Sequence, residues 1–107
     1  MRWLRSLPMS EVLLTFHCAA ADAEAVGEAI RQKSAAPLHQ RAEAVMGRDF
    51  SDAMTGEQVS GLLRRSAIEL VTEENTVEAI VAAVADARRR SPVRWQVVPV
   101  LQRGRIA

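Results

Sequence analysis

The feature that most constrains the fold of this chain is a strand–helix–strand pattern that occurs twice along it. Helices are predicted at 22–34 and 75–90, where apolar residues recur three and four positions apart. Short apolar or alternating runs predict four strands, β1 to β4, at 11–18, 38–46, 64–72 and 93–101. The resulting order, β-α-β-β-α-β, is the ferredoxin-like split βαβ pattern.

The second helix carries the strongest local signals. Asn75 is predicted as its N-cap, with Glu78 three residues later as its capping-box partner. Its last turn is predicted at 88–90, and the Ser-Pro pair at 91–92 is expected to end it, because a residue before proline avoids the helical conformation.

Right-handed crossover connections place β1 and β3 in the centre of the predicted sheet. The antiparallel strand order is then 4-1-3-2, with the two helices on one face. Pro99 lacks the N–H that a central strand needs, which agrees with β4 at an edge. We therefore predict an α+β domain over 11–107, preceded by an N-terminal extension at 1–10.

Composition excludes several classes of protein. A chain of 107 residues that is 49% hydrophobic and 25% charged is typical of one globular domain. Its net charge of +1 gives no general case for nucleic-acid binding. Cys18 is the only cysteine, so no intrachain disulfide can form, which favours a cytoplasmic setting. No apolar run approaches about 18 residues, so direct membrane insertion is not expected.

The predicted topology brings the end of β1, the 47–60 loop and the starts of β3 and β4 to one edge of the sheet. Five arginines are expected there: Arg64, Arg65, Arg88, Arg89 and Arg90. Because guanidinium groups bind phosphates and carboxylates through paired donors, we expect an anionic effector, such as a nucleotide, at this edge. A simpler alternative stays open, in which the arginines at 88–90 only complement a helix C-terminus and solvate the surface.

His17 and Cys18 suggest a metal site, since a thiolate and an imidazole together suit Cu(I) or Zn(II). Adjacent strand residues point to opposite faces, so both can bind one ion only if the chain has already turned. The alternative is a buried cysteine beside a hydrogen-bonded histidine. His39 is predicted at the opposite edge, roughly 20 Å away, so a site that joins it to His17 would need two subunits.

Catalytic motifs are missing from the sequence. It contains no nucleophile elbow with ordered triad partners and no H-E-x-x-H pattern, and its carboxylates fall mostly on solvated helix positions. We therefore expect a protein that is not an enzyme, and the sequence indicates no particular cofactor.

The C-terminal sequence WQVVPV at 95–100, followed by GRI at 104–106, resembles the PII-like family of small signalling proteins. The strand arrangement and the long β2–β3 loop add to the resemblance, which covers about 11–106. The run MTGEQVSGLLRR at 54–65 is similar to an uncharacterised PII-like branch whose members are often encoded beside heavy-metal efflux pumps.

This resemblance implies a homotrimer with an effector cleft between subunits and a loop at 47–60 that contacts a membrane transporter or an enzyme. The residues expected to contact the partner are Arg48, Asp49, Phe50, Met54 and Glu57. The best-known members bind ATP with a glycine-rich turn before the last strand, whereas this chain has RRRSPVR at 88–94, so ATP binding by that route is not expected. The alternative function is a metal-binding accessory protein of a heavy-metal efflux system.

Overall fold

The computed structural model describes residues 10–46 and 62–107. Residues 1–9 of the N-terminal extension and the five loop residues predicted to contact a partner lie outside this range.

The order of elements is the predicted one. The strands are β1 (Glu11–Ala19), β2 (His39–Met46), β3 (Leu62–Glu73) and β4 (Arg94–Pro99). The helices are α1 (Ala23–Arg31) and α2 (Val77–Asp86), and each follows a single 3₁₀ turn, at Ala20–Asp22 and Glu74–Thr76. The molecule is therefore an α+β structure with one four-stranded sheet and two helices among the residues described.

The strands lie in the order β2-β3-β1-β4, and all neighbours are antiparallel. Counted from β4, this is 4-1-3-2, so β1 and β3 are central and β4 is an edge strand that ends at Pro99. Phe16 of β1 lies opposite Ile68 of β3 on one side and Trp95 of β4 on the other.

Both helices pack on one face of the sheet and share a single apolar core. Its largest fully buried side chains come from both layers: Phe16, Leu14, Ile30, Ile68, Leu70, Ile80 and Val26. Burial of each such side chain contributes about 1.5–3 kcal/mol to folding. The helix residues of this core recur about one turn apart, which is the periodicity that predicted the helices.

The opposite face of the sheet is called here the open face, since neither helix covers it. Strand side chains alternate between faces, so the residues next to the core positions of β1 belong to it. It contains Thr15 and His17 of β1 with the residues level with them on β3 and β2, which are Ala67, Glu69, His39 and Arg41. Glu43 belongs to it as well, two residues beyond Arg41 on β2.

Two predictions about α2 are wrong. The residue at its N-cap position is Thr76, and Asn75 lies in the preceding 3₁₀ turn. The helix ends at Asp86, because Ala87 is already extended with φ −67° and ψ 143°. The arginines at 88–90 therefore lie in the connection to β4, and a buried carboxylate described below holds that connection away from the helical path.

Candidate effector site at one edge of the sheet

The edge of the sheet at which β1 ends also contains the end of β2 and the starts of β3 and β4. Arg65 of β3 lies opposite both Ala19 of β1 and Glu43 of β2. His17 lies opposite Arg94, the first residue of β4. This edge, with the 88–91 connection, is called the loop-side edge, because residues 47–61, predicted as a loop from the sequence, connect the β2 and β3 ends that it contains.

Arg65 is a buried charged residue of the loop-side edge, with only 2% of its surface exposed. Its Nη2 donates to the carbonyl oxygen of His17 at 2.8 Å and to that of Pro92 at 3.1 Å. Its Nη1 is buried as well and has no hydrogen-bond partner among the described residues. A buried donor without an acceptor costs about 1–3 kcal/mol, and more when it is charged. The guanidinium therefore bridges β1 and the connection that precedes β4, while one of its nitrogens is left unsatisfied by the described residues.

Asp22, which is 4% exposed, fixes the connection that precedes β4. Its Oδ1 accepts the backbone N–H of Arg90 at 2.9 Å, and its Oδ2 accepts that of Ser91 at 3.0 Å. Sequence reasoning missed this residue. The only local signal, an aspartate at the start of a helix, predicts a cap, whereas its partners lie 68 and 69 residues further along the chain.

The arginines at 88–90 are exposed at the loop-side edge. Arg89 donates to the carbonyl oxygen of Ser91 at 3.1 Å and to that of Ala85, in the last turn of α2, at 3.5 Å. The contact with Ala85 agrees with the simpler alternative, in which these arginines complement the helix C-terminus. Arg64 is also exposed, so of the five predicted effector residues only Arg65 is buried.

His17 and Cys18 are not brought together. The strand continues to Ala19, so the two side chains lie on opposite faces. His17 Nδ1 lies 2.5 Å from Glu43 Oε1 on the open face, whereas Cys18 Sγ donates to the carbonyl oxygen of Ser66 at 3.7 Å in the core. Among residues 10–46 and 62–107, no group of three or more His, Cys, Asp or Glu side chains could hold a metal ion.

The environment of Cys18 keeps its thiol protonated. Burial raises the pKa of this thiol, Arg65 partly offsets the rise, and the Asp22 and Glu43 carboxylates add to it. Because the thiolate is the metal ligand and the nucleophile, this position disfavours both roles.

The predicted position of His39 is wrong. It lies opposite Glu69, which lies opposite Thr15, so it sits level with the middle of β1 and not at the far edge. Strand spacing puts its backbone about 12 Å from that of His17, not roughly 20 Å. Both histidines belong to the open face, with β3 between their strands.

Polar contacts on the open face connect three strands. The His17–Glu43 pair joins β1 to β2 across Ala67 of β3, which is fully buried beneath it. Glu69 of β3 accepts from Thr15 at 3.0 Å and pairs with Arg41 at 3.0 Å. These contacts tie the β2–β3 hairpin, and so both ends of the loop, to the central strand.

Residues 9–107 match the family described as a protein of unknown function, DUF3240. The chain belongs to the DUF3240 family. None of the curated proteins matches it in sequence. Within the described part of this family member, neither helix is long and apolar enough to cross a membrane.

Solved structures of similar fold include a DUF3240 family protein from Shewanella baltica, at 14% identity and a TM-score of 0.72, which covers 92% of this chain and 98% of that one. A candidate PII-like signalling protein from Thermus thermophilus gives 13% identity and a TM-score of 0.61, with coverage of 86% and 88%. A Bacillus cereus protein related to NIF3 gives 15% identity and a TM-score of 0.68, but the match covers 90% of this chain and only 27% of that one. At these identities the likeness shows a shared, PII-like fold.

Proposed function

We propose that this DUF3240 protein is a small cytoplasmic PII-like regulator, trimeric in its working form, that binds an anionic effector at Arg65. Effector binding changes the conformation of the 47–60 loop, and the loop contacts a membrane transporter. Its fold, shared with a candidate PII-like signalling protein, supports the class. The observation that carries the effector role is the buried Nη1 of Arg65, which has no hydrogen-bond partner in the described part of the chain.

A phosphate or carboxylate oxygen on Nη1 would complete the hydrogen bonding of this guanidinium. Hydrogen bonds between ionised partners are about twice as strong as neutral ones, and a guanidinium presents donors in a fixed fork. The exposed arginines at 88–90 shortly precede Pro92, which Arg65 contacts, so they add positive charge to the same edge, and this favours an anion larger than a single phosphate. A nucleotide fits both requirements.

The position of Arg65 supports a connection between effector and loop. It lies near the start of β3 and opposite Glu43 of β2, so it adjoins both strands that lead into the loop. Glu43 is in turn bound to His17 of the central strand. A shift of Arg65 toward an anion would act on both ends of the loop, and so would bias the population of loop conformations that meet the partner.

Exposed apolar residues at the end of β2 support subunit contacts. Met46 is 80% exposed and Val45 is 39% exposed on an edge strand. Edge strands with apolar side chains are sites of association between chains. Native mass spectrometry of the full chain should therefore give a trimer, and a monomer at micromolar concentration would contradict the proposal.

Isothermal titration calorimetry with ATP, ADP and inorganic phosphate tests the effector site. Arg65→Gln should weaken nucleotide binding at least tenfold, because it removes the charge and the fork. Arg31→Gln is the matched control, since Arg31 is exposed on α1 and paired with Glu28. If Arg65→Gln unfolds, Arg65→Lys keeps the charge and loses only the fork, with a smaller loss expected. Wild-type protein that binds none of these anions, or variants that bind as it does, would overturn the effector role.

The loop is tested separately. Saturation with the bound nucleotide should change amide hydrogen exchange at 47–61, as measured by mass spectrometry. Replacement of 49–57 by a short glycine-serine linker should leave nucleotide binding intact and abolish co-purification with the transporter. A partner contact that survives this replacement would remove the loop from the proposal.

A further inference from the structure

A groove of about 470 Å³ runs between α2 and the edge strand β4. Val77 and Val81 of α2 and Trp95 and Val97 of β4 form its apolar floor. Trp95 is 49% exposed, although an indole of this size gains from burial of its ring. The same strand side chains lie on the helix-covered side of the sheet, so the groove is a continuation of the core that the chain's described residues leave open.

Charge at the rim of the groove is negative. Glu74 and Glu78 line it beside the apolar floor, and no basic side chain does so among the described residues. An apolar floor with an acidic rim fits a segment that combines an apolar side chain with arginine or lysine.

The free edge of β4 adds backbone groups to this surface. The N–H of Val100 donates to the carbonyl oxygen of Glu11 at 3.0 Å. In an antiparallel ladder the bonded pairs alternate, so the backbone groups of Trp95 and Val97 point away from β1, toward the free edge. Pro99 is the next outward position and has no N–H, so strand addition is limited to the stretch beside the groove. An extended segment that paired there would place alternate side chains over Trp95.

The C-terminal tail, residues 101–107, has the properties of such a segment. It forms no helix or strand of its own, and it exposes Leu101 at 94% and Ile106 at 100%. It contains Arg103 and Arg105 and no acidic residue. The exposed, apolar Ile106 matches the apolar floor of the groove, and the neighbouring Arg105 matches its acidic rim.

A contact at Arg103 separates the tail from the groove of the same chain. Arg103 donates through Nε and Nη2 to the carboxylate of Glu11, at 3.1 and 2.7 Å. Glu11 belongs to β1, which lies on the side of β4 away from its free edge. By strand alternation the Glu11 side chain shares the open face with Thr15 and His17, so this two-bond contact anchors Arg103 on the face of the sheet opposite the groove.

We propose that residues 104–107 of one copy dock in the α2–β4 groove of a second copy, where Ile106 packs on Trp95 and Arg105 pairs with Glu74 and Glu78. The contact joins different surfaces of the two copies, so it is heterologous, and its repetition builds a ring if the rotation between copies closes. It does not depend on the effector role of Arg65. It adds a subunit contact on a surface distinct from the exposed end of β2 at Val45 and Met46.

The test measures oligomer mass by light scattering and the fluorescence of Trp95 in a Trp3→Phe background. Removal of 104–107 should lower the mass and shift Trp95 emission to longer wavelength, because the indole becomes solvated. Gln102→Ala is the matched control, with no change expected. Unchanged mass and emission after truncation would overturn the proposal.

A charge exchange tests the pairing even if truncation disturbs folding. Glu78→Arg and Arg105→Glu should each weaken association at least tenfold, and the double variant should restore most of it. Failure of the double variant to recover would overturn the pairing. A wild-type monomer whose Trp95 is shielded by its own tail would overturn the second copy as the partner.

Discussion

The two faces of the sheet are stabilised by different interactions, although they share the same strands. Phe16 is fully buried against the helices, whereas its neighbour His17 contacts Glu43 on the open face. Non-directional burial stabilises the first face, and directional polar contacts stabilise the second. The lesson is that one strand can supply both the core and the groups that connect the sheet to a loop.

The largest expected effect is on the helix-covered face. Phe16→Ala should lower the free energy of unfolding by about 3–5 kcal/mol, through lost transfer energy and a residual cavity. Urea denaturation followed by circular dichroism measures it. Val98→Ala, a half-exposed position on the open-face side of β4, is the control, and an equal loss there would remove the distinction between faces.

A buried carboxylate in the helix layer should give the next effect. Asp22→Ala leaves the N–H groups of Arg90 and Ser91 without acceptors, so we expect a loss of about 2–3 kcal/mol. Amide exchange at 88–92 should also become faster, because the connection to β4 then loses the two hydrogen bonds that Asp22 accepts from its backbone. A loss below that of an exposed substitution such as Glu24→Ala would show that this carboxylate does not hold the connection.

The open face should respond less. The side chains of Glu43 and His17 are each more than one fifth exposed, so a double-mutant cycle with Glu43→Gln and His17→Gln should give a coupling energy of about 0.5–1 kcal/mol. Urea denaturation of the four proteins measures it. A coupling energy above that range would show that the open face is covered in solution, as it would be by another subunit.

The smallest effect is expected at the ion pair between Glu11 and Arg103, whose side chains are both exposed. The hydrogen bond from Arg103 holds the pKa of the Glu11 carboxyl below its ordinary value. Because the pKa is lower in the folded state, the ionised carboxyl stabilises the fold at any pH above the pKa of the unfolded chain. This contribution is lost as the pH falls through the pKa of the folded state. Arg103→Gln should therefore raise the pKa of Glu11 in an NMR titration, and an unchanged value would show that the tail is not held there.

Much of the fold was predictable because it depends on local periodicity. The short apolar run of β1 and the one-turn spacing of Ile80 and Val84 appear in the sequence, and crossover handedness then decides the strand order. The edge that gathers Arg65 and the loop ends follows from that order. Helix termini were less predictable, since the connection that follows α2 is bound by Asp22, a distant residue.

The sequence by itself determined the element order, the central strands and the set of arginines near the loop, because periodicity and chain direction are local properties. Only the tertiary structure decided that Arg65 is buried with an unsatisfied Nη1, that Asp22 holds the 88–91 connection, and that His39 lies level with Thr15. These outcomes depend on register and on contacts between residues far apart in the chain, such as the 48 positions between Arg65 and His17 and the 69 between Ser91 and Asp22. No window of neighbouring residues contains that information.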